Sequence, residues 1–242
     1  MRCSFVSDLH LDATTPERND AFRRFLACES VRCDELYLLG DLTEVWVGDD
    51  DDSPFVDSLA RDLRAASAHC RVHLMHGNRD FLIGHAFATR SGVRLIGDPY
   101  VIERNGMRVL LCHGDALCTG DVEYQRLRSV LRSPEWQADV LSRPLPDRRA
   151  LAATLRDRSR ASNANKPDNI MDAVQNAIEC AWREHEVDAI VHGHTHRPGI
   201  HASIDAAHRR YVLGDWDRCG WLLRFDGTFT LQRFGLAHRC GT

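Results

Sequence analysis

The chain has 242 residues, and its 35 acidic and 31 basic side chains give a formal net charge of −4 at pH 7. This balance argues against a polybasic protein that binds nucleic acid by neutralising phosphates, so we expect no nucleic-acid partner. Apolar residues make up 43% of the sequence, which excludes a disordered chain and suits one large domain or two small ones.

The first half of the chain alternates short apolar runs with amphipathic stretches. The pattern predicts strands and helices in turn, at 2–7, 16–30, 35–39, 54–69 and 71–75. A hairpin is expected over 101–111, because Asn105-Gly106 is a favoured two-residue turn between strands. Strands that alternate with helices predict an α/β (or α+β) fold.

The character of the chain changes after Thr119. Between Arg126 and Lys166 there are ten basic residues against four acidic ones, and three prolines interrupt a helical pattern. We therefore expect a helical cap or insertion at 119–167, lying over the active site of a core formed by 1–118 and 168–242. The core resumes with a helix and five strands, predicted at 169–185, 187–191, 199–204, 209–214, 220–225 and 228–234.

Cysteine and lysine are used unusually. The nine cysteines are scattered and include no C-x-x-C pair, which favours reduced thiols in a reducing compartment over a disulfide framework. No signal-peptide pattern and no run of eighteen apolar residues is present, so we expect a cytoplasmic protein. Thirty of the 31 basic residues are arginine, and the one lysine is Lys166.

Five short motifs each follow an apolar, strand-like run. They are Asp8-Leu9-His10, Gly40-Asp41, Gly77-Asn78-Arg79-Asp80, His113-Gly114-Asp115 and Gly193-His194-Thr195-His196. Ligands of open α/β sheets bind at the carboxyl ends of strands, so we expect these motifs to converge in one crevice. Their carboxylate, amide and imidazole groups suit ions such as Mn²⁺, Fe²⁺ or Zn²⁺. The number of such groups suits two ions, if one carboxylate bridges them.

Each motif taken alone also has an ordinary structural explanation. Asp41 could form a turn, Asn78 could cap a helix, and His113 could be a core histidine with satisfied hydrogen bonds. The three imidazoles in residues 192–196 are harder to explain, because burying polar groups without partners costs free energy. Together the five motifs favour a metal centre over five separate structural roles.

This ordered set of motifs resembles the calcineurin-like metallophosphoesterases, whose pattern runs Asp-x-His, Gly-Asp, Gly-Asn-His-Asp/Glu, His and Gly-His-x-His. The resemblance begins at residue 4 and extends through Trp216. It implies a four-layer αββα sandwich with a helical insertion cap. It also implies two metal ions, with manganese as the family's usual metal. One ion would be held by Asp8, His10, Asp41 and His196, and the other by Asp41, Asn78, His113 and His194.

Arg79 departs from the family pattern, which has a histidine at this position. That histidine is usually assigned to protonating the leaving group or stabilising the transition state, and arginine cannot give up a proton at neutral pH. A hydrolase without this acid should favour a leaving group that departs readily as an anion. A phosphate monoester fits that description and an alkoxide does not, so Arg79 points to a pyrophosphate bond as the target.

The residues around the motifs, at 7–11, 38–50, 76–82 and 192–198, narrow the resemblance, as do 118–125 and 159–166 in the cap. They resemble the metallophosphoesterases of lipid A biosynthesis. That branch of the family hydrolyses UDP-2,3-diacylglucosamine to UMP and 2,3-diacylglucosamine 1-phosphate, with a water activated by two metals. That branch implies a monomer associated peripherally with the cytoplasmic face of the inner membrane. The implied catalytic residues are Asp41, Arg79 and His194, and the implied substrate contacts are Asn78, Arg79, Asp121, Ser159, Asn163, Lys166 and His194.

The residues alone leave several alternatives open. Asp121 could be a helix cap, and Ser159 and Asn163 could belong to a solvated helix face. The apolar residues of the cap could line a slot for two acyl chains or only pack against the core. The chain could also hydrolyse another nucleotide sugar or a phosphodiester, or act as a binding scaffold without catalysis.

Overall fold

The computed structural model describes residues 1–163, 170–203 and 206–237, apart from the side chain of Asn163. Eleven strands in two sheets and seven α-helices lie in this part of the chain. The first sheet contains β1 (Cys3–Val6), β2 (Glu35–Leu39), β3 (Arg71–Met75), β4 (Arg94–Ile96), β10 (Cys219–Phe225) and β11 (Phe229–Gly235). Its order is β11-β10-β1-β2-β3-β4, with β1 to β4 parallel and β10 and β11 added as antiparallel strands.

The second sheet contains β5 (Tyr100–Arg104), β6 (Met107–Leu111), β7 (Ala189–His192), β8 (Gly199–Ala202) and β9 (Arg209–Val212). Its order is β5-β6-β7-β9-β8. The central strands β6, β7 and β9 are parallel, and the edge strands β5 and β8 are antiparallel to their neighbours.

Helices cover the outer faces of both sheets. The helices are α1 (Pro16–Glu29), α2 (Pro54–Ser67), α3 (His85–Ser91), α4 (Val122–Leu131), α5 (Pro134–Leu141), α6 (Leu145–Asn163) and α7 (Gln175–His185). Residues of α1 to α3 pack in one apolar cluster with Leu36 and Leu38 of β2, and α7 packs on Leu110 and Ile190 of the second sheet. A third cluster, which includes Phe5 and Val191, joins the two sheets face to face. These clusters give the four αββα layers that the family resemblance implied.

Residue types at the helix starts explain where several elements begin. Pro16, Pro54 and Pro134 each occupy the first turn of a helix, where the missing N–H costs no hydrogen bond. Ser53 caps α2 by accepting from Val56 N at 3.4 Å, and Ser133 caps α5 in the same way. Strands β2 and β7 are buried at every residue, which matches their unbroken apolar runs.

Three features differ from the sequence-based expectation. Helix α7 begins at Gln175 rather than near 169, because the preceding turn binds the core through Val174 N, which donates to Leu117 O at 2.9 Å. Helix α3 and strand β4 were not predicted, since seven and three residues provide too few periodic positions. Cys28 is disulfide-bonded and so departs from the expectation of reduced thiols, because linear spacing does not show which cysteines meet in space. The described free cysteines are Cys3, Cys33, Cys70, Cys112, Cys118, Cys180 and Cys219.

Helices α4 to α6 follow one another within the segment expected to form the cap. The expected boundaries, 119–167 for the cap and 1–118 with 168–242 for the core, remain a prediction, because residues 164–169 lie outside the described part. Among the described residues, no helix is both long and apolar enough to cross a membrane.

Candidate metal centre and adjoining cavity

The predicted ligands lie on short loops directly beyond the strand ends. Asp8, Asp41, His113 and His194 each stand two residues after β1, β2, β6 and β7. Parallel strands bring these ends to the same edge of the two sheets, which explains why motifs far apart in sequence meet.

Five of these ligands have left-handed backbone conformations. The φ angles are 54° for Asp8, 47° for His10, 51° for Asp41, 64° for His194 and 52° for His196. Apart from glycine, Asp, Asn and His are the residues that most often tolerate this region. Uncommon backbone conformations cluster at functional sites, where the surrounding structure holds them in place.

The first group of ligand atoms surrounds Asp8. Its Oδ1 lies 3.4 Å from His196 Nε2, which in turn lies 3.4 Å from His10 Nε2. Asp41 Oδ2 lies 3.8 Å from the same His10 nitrogen. Asp8 Oδ1 is buried and makes no hydrogen bond to any described residue. A buried carboxylate oxygen without a hydrogen-bond donor, facing two imidazole nitrogens, is the arrangement expected of a site for a cation.

The second group of ligand atoms surrounds Asn78. Its Oδ1 lies 3.0 Å from His113 Nε2 and 2.9 Å from His194 Nδ1. The other carboxylate oxygen of Asp41, Oδ1, lies 3.7 Å from His113 Nε2. Asp41 therefore presents one oxygen to each group, as a bridging ligand would. The structure brings together all seven side chains that the sequence singled out.

The electrostatics of this site suit a cation. Burial alone would lower the pKa of His113, but the carboxylates of Asp41, Asp115 and Asp8 outweigh burial and raise it to about 9. Burial raises the pKa of Asp41. A site that draws a proton onto a fully buried imidazole has an excess of negative potential. The donor set of carboxylate, amide and imidazole groups fits a divalent ion of the Mn²⁺ type.

A further set of residues holds the ligand loops in place. Asp80 accepts hydrogen bonds from Gly77 N and from Leu42 N, both at 2.7 Å, and so joins the loops after β3 and β2. His113 Nδ1 donates to Leu39 O at 3.0 Å, which leaves Nε2 free to face the second group. At Gly40 an added Cβ would lie 2.5 Å from His113 Nδ1, so the close approach requires glycine.

A cavity lies between the core and helices α4 to α6, and it reaches Asn78 and Arg79. It contains about 910 Å³ of space, part of it open to solvent. Most of its lining is apolar or aromatic: Val45, Trp46, Val47, Phe81, Leu82, Tyr124, Leu127, Leu131, Trp136, Val140, Leu151, Ala152 and Leu155. Val130 and Leu141, two of the apolar cap residues that could have lined an acyl slot, are instead exposed to solvent.

An ion pair and several hydrogen bonds attach the cap to the core. Asp115 accepts from Arg128 Nε at 2.8 Å and from the Tyr124 hydroxyl at 2.7 Å. Arg132 donates to Gly77 O at 2.9 Å, next to Asn78. At the other end of the cap, Arg148 donates to Val47 O at 2.7 Å. These contacts fix the cavity walls relative to the metal ligands.

The structure places only some of the predicted substrate contacts at the cavity. Ser159 lines the cavity, and Arg79 lines it with a buried Nε that makes no hydrogen bond to the described residues. Asp121 caps α4 by accepting from Tyr124 N at 3.1 Å. This is the helix-capping role that the sequence left open as an alternative to a substrate contact. Asn163 ends α6 with a side chain outside the described atoms, and Lys166 lies outside the described residues.

Three residues that the sequence reasoning did not assign prove important to the geometry. Asp80 and Asp115 are the last residues of two recognised motifs, so their position next to ligands was an available signal. Glu44 lies within the stretch 38–50 that carries the resemblance, but the sequence assigned it no role, because its partners come from distant segments. Its side chain lies beside both His10 and the cap.

The comparisons with known proteins agree with this geometry. The family profile described as calcineurin-like phosphoesterase matches residues 1–198. A protein of Stutzerimonas stutzeri named UDP-2,3-diacylglucosamine hydrolase is 46% identical over 224 residues, covering 91% of this chain and 93% of its own length. A protein of Pseudomonas paraeruginosa with the same name is 47% identical over 229 residues, covering 93% of this chain and 95% of its own length.

Proposed function

Because the chain belongs to the calcineurin-like phosphoesterase family, we propose that it hydrolyses the pyrophosphate bond of UDP-2,3-diacylglucosamine. The relatives in Stutzerimonas and Pseudomonas carry the name of this hydrolase at close to half identity over nearly their whole length. The observation that carries the proposal is the apolar cavity, whose lining includes Asn78, one of the proposed metal ligands, and Arg79. A lipid-linked substrate needs an apolar cavity next to the site that cleaves the phosphate bond, because its acyl chains must be bound. A soluble nucleotide sugar needs no such cavity.

In the proposed reaction, water adds to the phosphorus bonded to uridine and the bond to the bridging oxygen breaks. The products are UMP and 2,3-diacylglucosamine 1-phosphate, with release of a proton. Two Mn²⁺ ions, held by the seven ligands, would supply a water of lowered pKa and offset phosphoryl charge when bound. The leaving group is a phosphate monoester, which departs as an anion without a protonating side chain.

Residues of the chain would position the substrate around this bond. Arg79 lines the cavity, and its buried Nε, which makes no hydrogen bond to the described residues, is a donor suited to the charged pyrophosphate. Its guanidinium stays charged throughout, so it stabilises phosphoryl oxygens rather than transferring a proton. Burial lowers the pKa of His194 to about 3, which keeps its imidazole neutral and able to bind a cation. Asp121, Ser159, Asn163 and Lys166 remain proposed contacts to the glucosamine headgroup.

Peripheral attachment to a membrane surface is part of the proposal. The cap exposes four apolar residues in a segment rich in arginine, and 43–56% of the surface of each is accessible: Val122, Leu127, Val130 and Leu141. Apolar side chains among cationic ones suit the headgroup region of an anionic bilayer. Such a surface would place the cavity near lipid-embedded acyl chains.

Release of UMP tests the proposed reaction directly. Purified protein with added Mn²⁺ is expected to release UMP from UDP-2,3-diacylglucosamine, and stripping the metal with a chelator should stop the release until Mn²⁺ returns. Metal analysis of the purified protein separates the hydrolase from a binding scaffold. A protein that holds no divalent metal and releases no UMP would reject the proposal.

A further inference from the structure

Glu44 lies between the proposed metal centre and the cap. It stands three residues after Asp41, and its backbone N donates to Leu11 O at 2.9 Å, which ties it to the loop that carries His10. Its side chain is 21% exposed and lines the cavity. No role for this residue follows from the ligand set described above.

One carboxylate oxygen of Glu44 faces His10. Oε2 lies 3.1 Å from His10 Nδ1, a buried nitrogen that makes no aligned hydrogen bond in this structure. The other ring nitrogen, Nε2, faces Asp41 and His196. A neutral imidazole that binds an ion through Nε2 carries its proton on Nδ1, and that N–H requires an acceptor. Oε2 is placed to be this acceptor after a small rotation of either side chain.

The second oxygen of Glu44 faces the cap. Oε1 lies 3.6 Å from Arg156 Nη1 and 3.9 Å from Arg160 Nη2, both on α6. Each contact is weak alone, since both arginines are partly exposed. Their importance comes from sharing a carboxylate with His10, because a shift of α6 would move the group that orients this ligand.

Two other ligand histidines, His113 and His196, have a core residue near the ring nitrogen Nδ1. His113 Nδ1 donates to the backbone oxygen of Leu39, and His196 Nδ1 lies 3.7 Å from Asp215. Neither Leu39 nor Asp215 belongs to the cap segment. Within the described residues, His10 is the ligand histidine whose outer partner also contacts α6.

We propose that Glu44 is a positioning residue that orients His10 through Oε2 and is itself positioned by α6 through Oε1. Metal binding and the position of the cap are then linked through one carboxylate. The inference rests on the proposed function, since it requires the metal centre, and metal affinity rather than turnover is therefore the quantity to measure.

The first experiment measures Mn²⁺ affinity by calorimetry on metal-stripped protein. Glu44→Ala is expected to raise the Kd about 10–100-fold, the range typical for loss of an outer partner of a metal ligand. Glu44→Gln keeps an acceptor oxygen and should recover part of the affinity. Asp51→Ala is the matched control, because Asp51 binds Arg149 of α6 at 2.9 Å but contacts no ligand. It should bind Mn²⁺ like the wild type.

The outcomes separate the two proposals. Wild-type affinity in folded Glu44→Ala would overturn the role of Glu44 and leave the metal centre intact. Failure of the wild type itself to bind Mn²⁺ would instead reject the metal centre and, with it, the premise of this inference.

The second experiment tests the link to the cap with a double-mutant cycle. Arg156→Ala is made in the wild type and in Glu44→Ala, and its effect on the Mn²⁺ Kd is compared between the two. Through-space repulsion between Arg156 and the ion is similar in both backgrounds and cancels. We expect the fold-change in Kd caused by Arg156→Ala to differ between the two backgrounds by about threefold or more. Arg149→Ala should change the Kd by equal factors in both backgrounds. Equal factors for Arg156→Ala would overturn the coupling.

Discussion

Single residues at the site combine uncommon backbone conformations with side chains that tolerate them. Asp41 has a φ of 51°, and its Oδ1 also accepts from Arg79 N at 2.8 Å. The backbone hydrogen bond fixes the carboxylate between the two ligand groups. An alanine at this φ would add backbone strain of roughly 1–2 kcal/mol to the loss of the carboxylate, whereas asparagine tolerates the conformation.

We therefore predict that Asp41→Asn and Asp41→Ala both lose catalysis, while Asp41→Asn retains more stability. The kcat/KM for UMP release should fall by at least about 10²-fold, because a group that offsets transition-state charge is lost. Metal content per chain should fall in parallel. Turnover is measured at controlled Mn²⁺ concentration, and stability by urea unfolding of metal-free protein. Near-wild-type turnover of a folded variant would contradict the bridging role.

The sequence could predict the ligands because each lies in a short motif after an apolar strand. It could not predict Glu44, whose contacts to His10 and Arg156 depend on how a loop and a cap helix approach in space. Asp121 shows a different limit of sequence reasoning, because the sequence offered two roles and could not choose between them. A residue at the start of a helix can be a cap or a substrate contact, and the structure shows its capping bond to Tyr124 N.

At the scale of elements, the strands were predictable because burial on both faces produces continuous apolar runs. The cap helices carry less information, since α4 buries none of its residues and its apolar positions divide between the cavity and solvent. Leu131 lines the cavity, whereas Val130 is 54% exposed. Only the three-dimensional packing shows which apolar residue serves which surface.

The exposed face of α4 gives a prediction about membrane binding. Val130→Asp should lower the fraction of protein that floats with anionic liposomes about tenfold, because an apolar contact worth roughly 1.5 kcal/mol is replaced by a charge of the wrong sign. Ile200→Asp is the matched control, since Ile200 is 53% exposed on the edge strand β8 of the core. Equal flotation of both variants and the wild type, or indifference of the wild type to lipid charge, would reject this docking face.

For the molecule as a whole, the two-sheet sandwich and the cap have separate tasks. The sandwich brings the strand ends together and so assembles the ligands. The cap adds the apolar cavity and is attached through Asp115 and Arg148. The position of the cavity beside Arg79 makes a lipid-linked pyrophosphate, rather than any phosphate ester, the substrate that fits.

The most direct test of this account compares kcat/KM for UDP-2,3-diacylglucosamine with that for UDP-N-acetylglucosamine in Mn²⁺. The two share the uridine, the pyrophosphate and a glucosamine ring, and differ mainly in the long acyl chains. Each buried methylene contributes roughly 0.8 kcal/mol, so burying about six or more should favour the diacyl substrate by more than about 10³-fold. Equal kcat/KM values for the two substrates would contradict the assignment of the cavity and, with it, the proposed function.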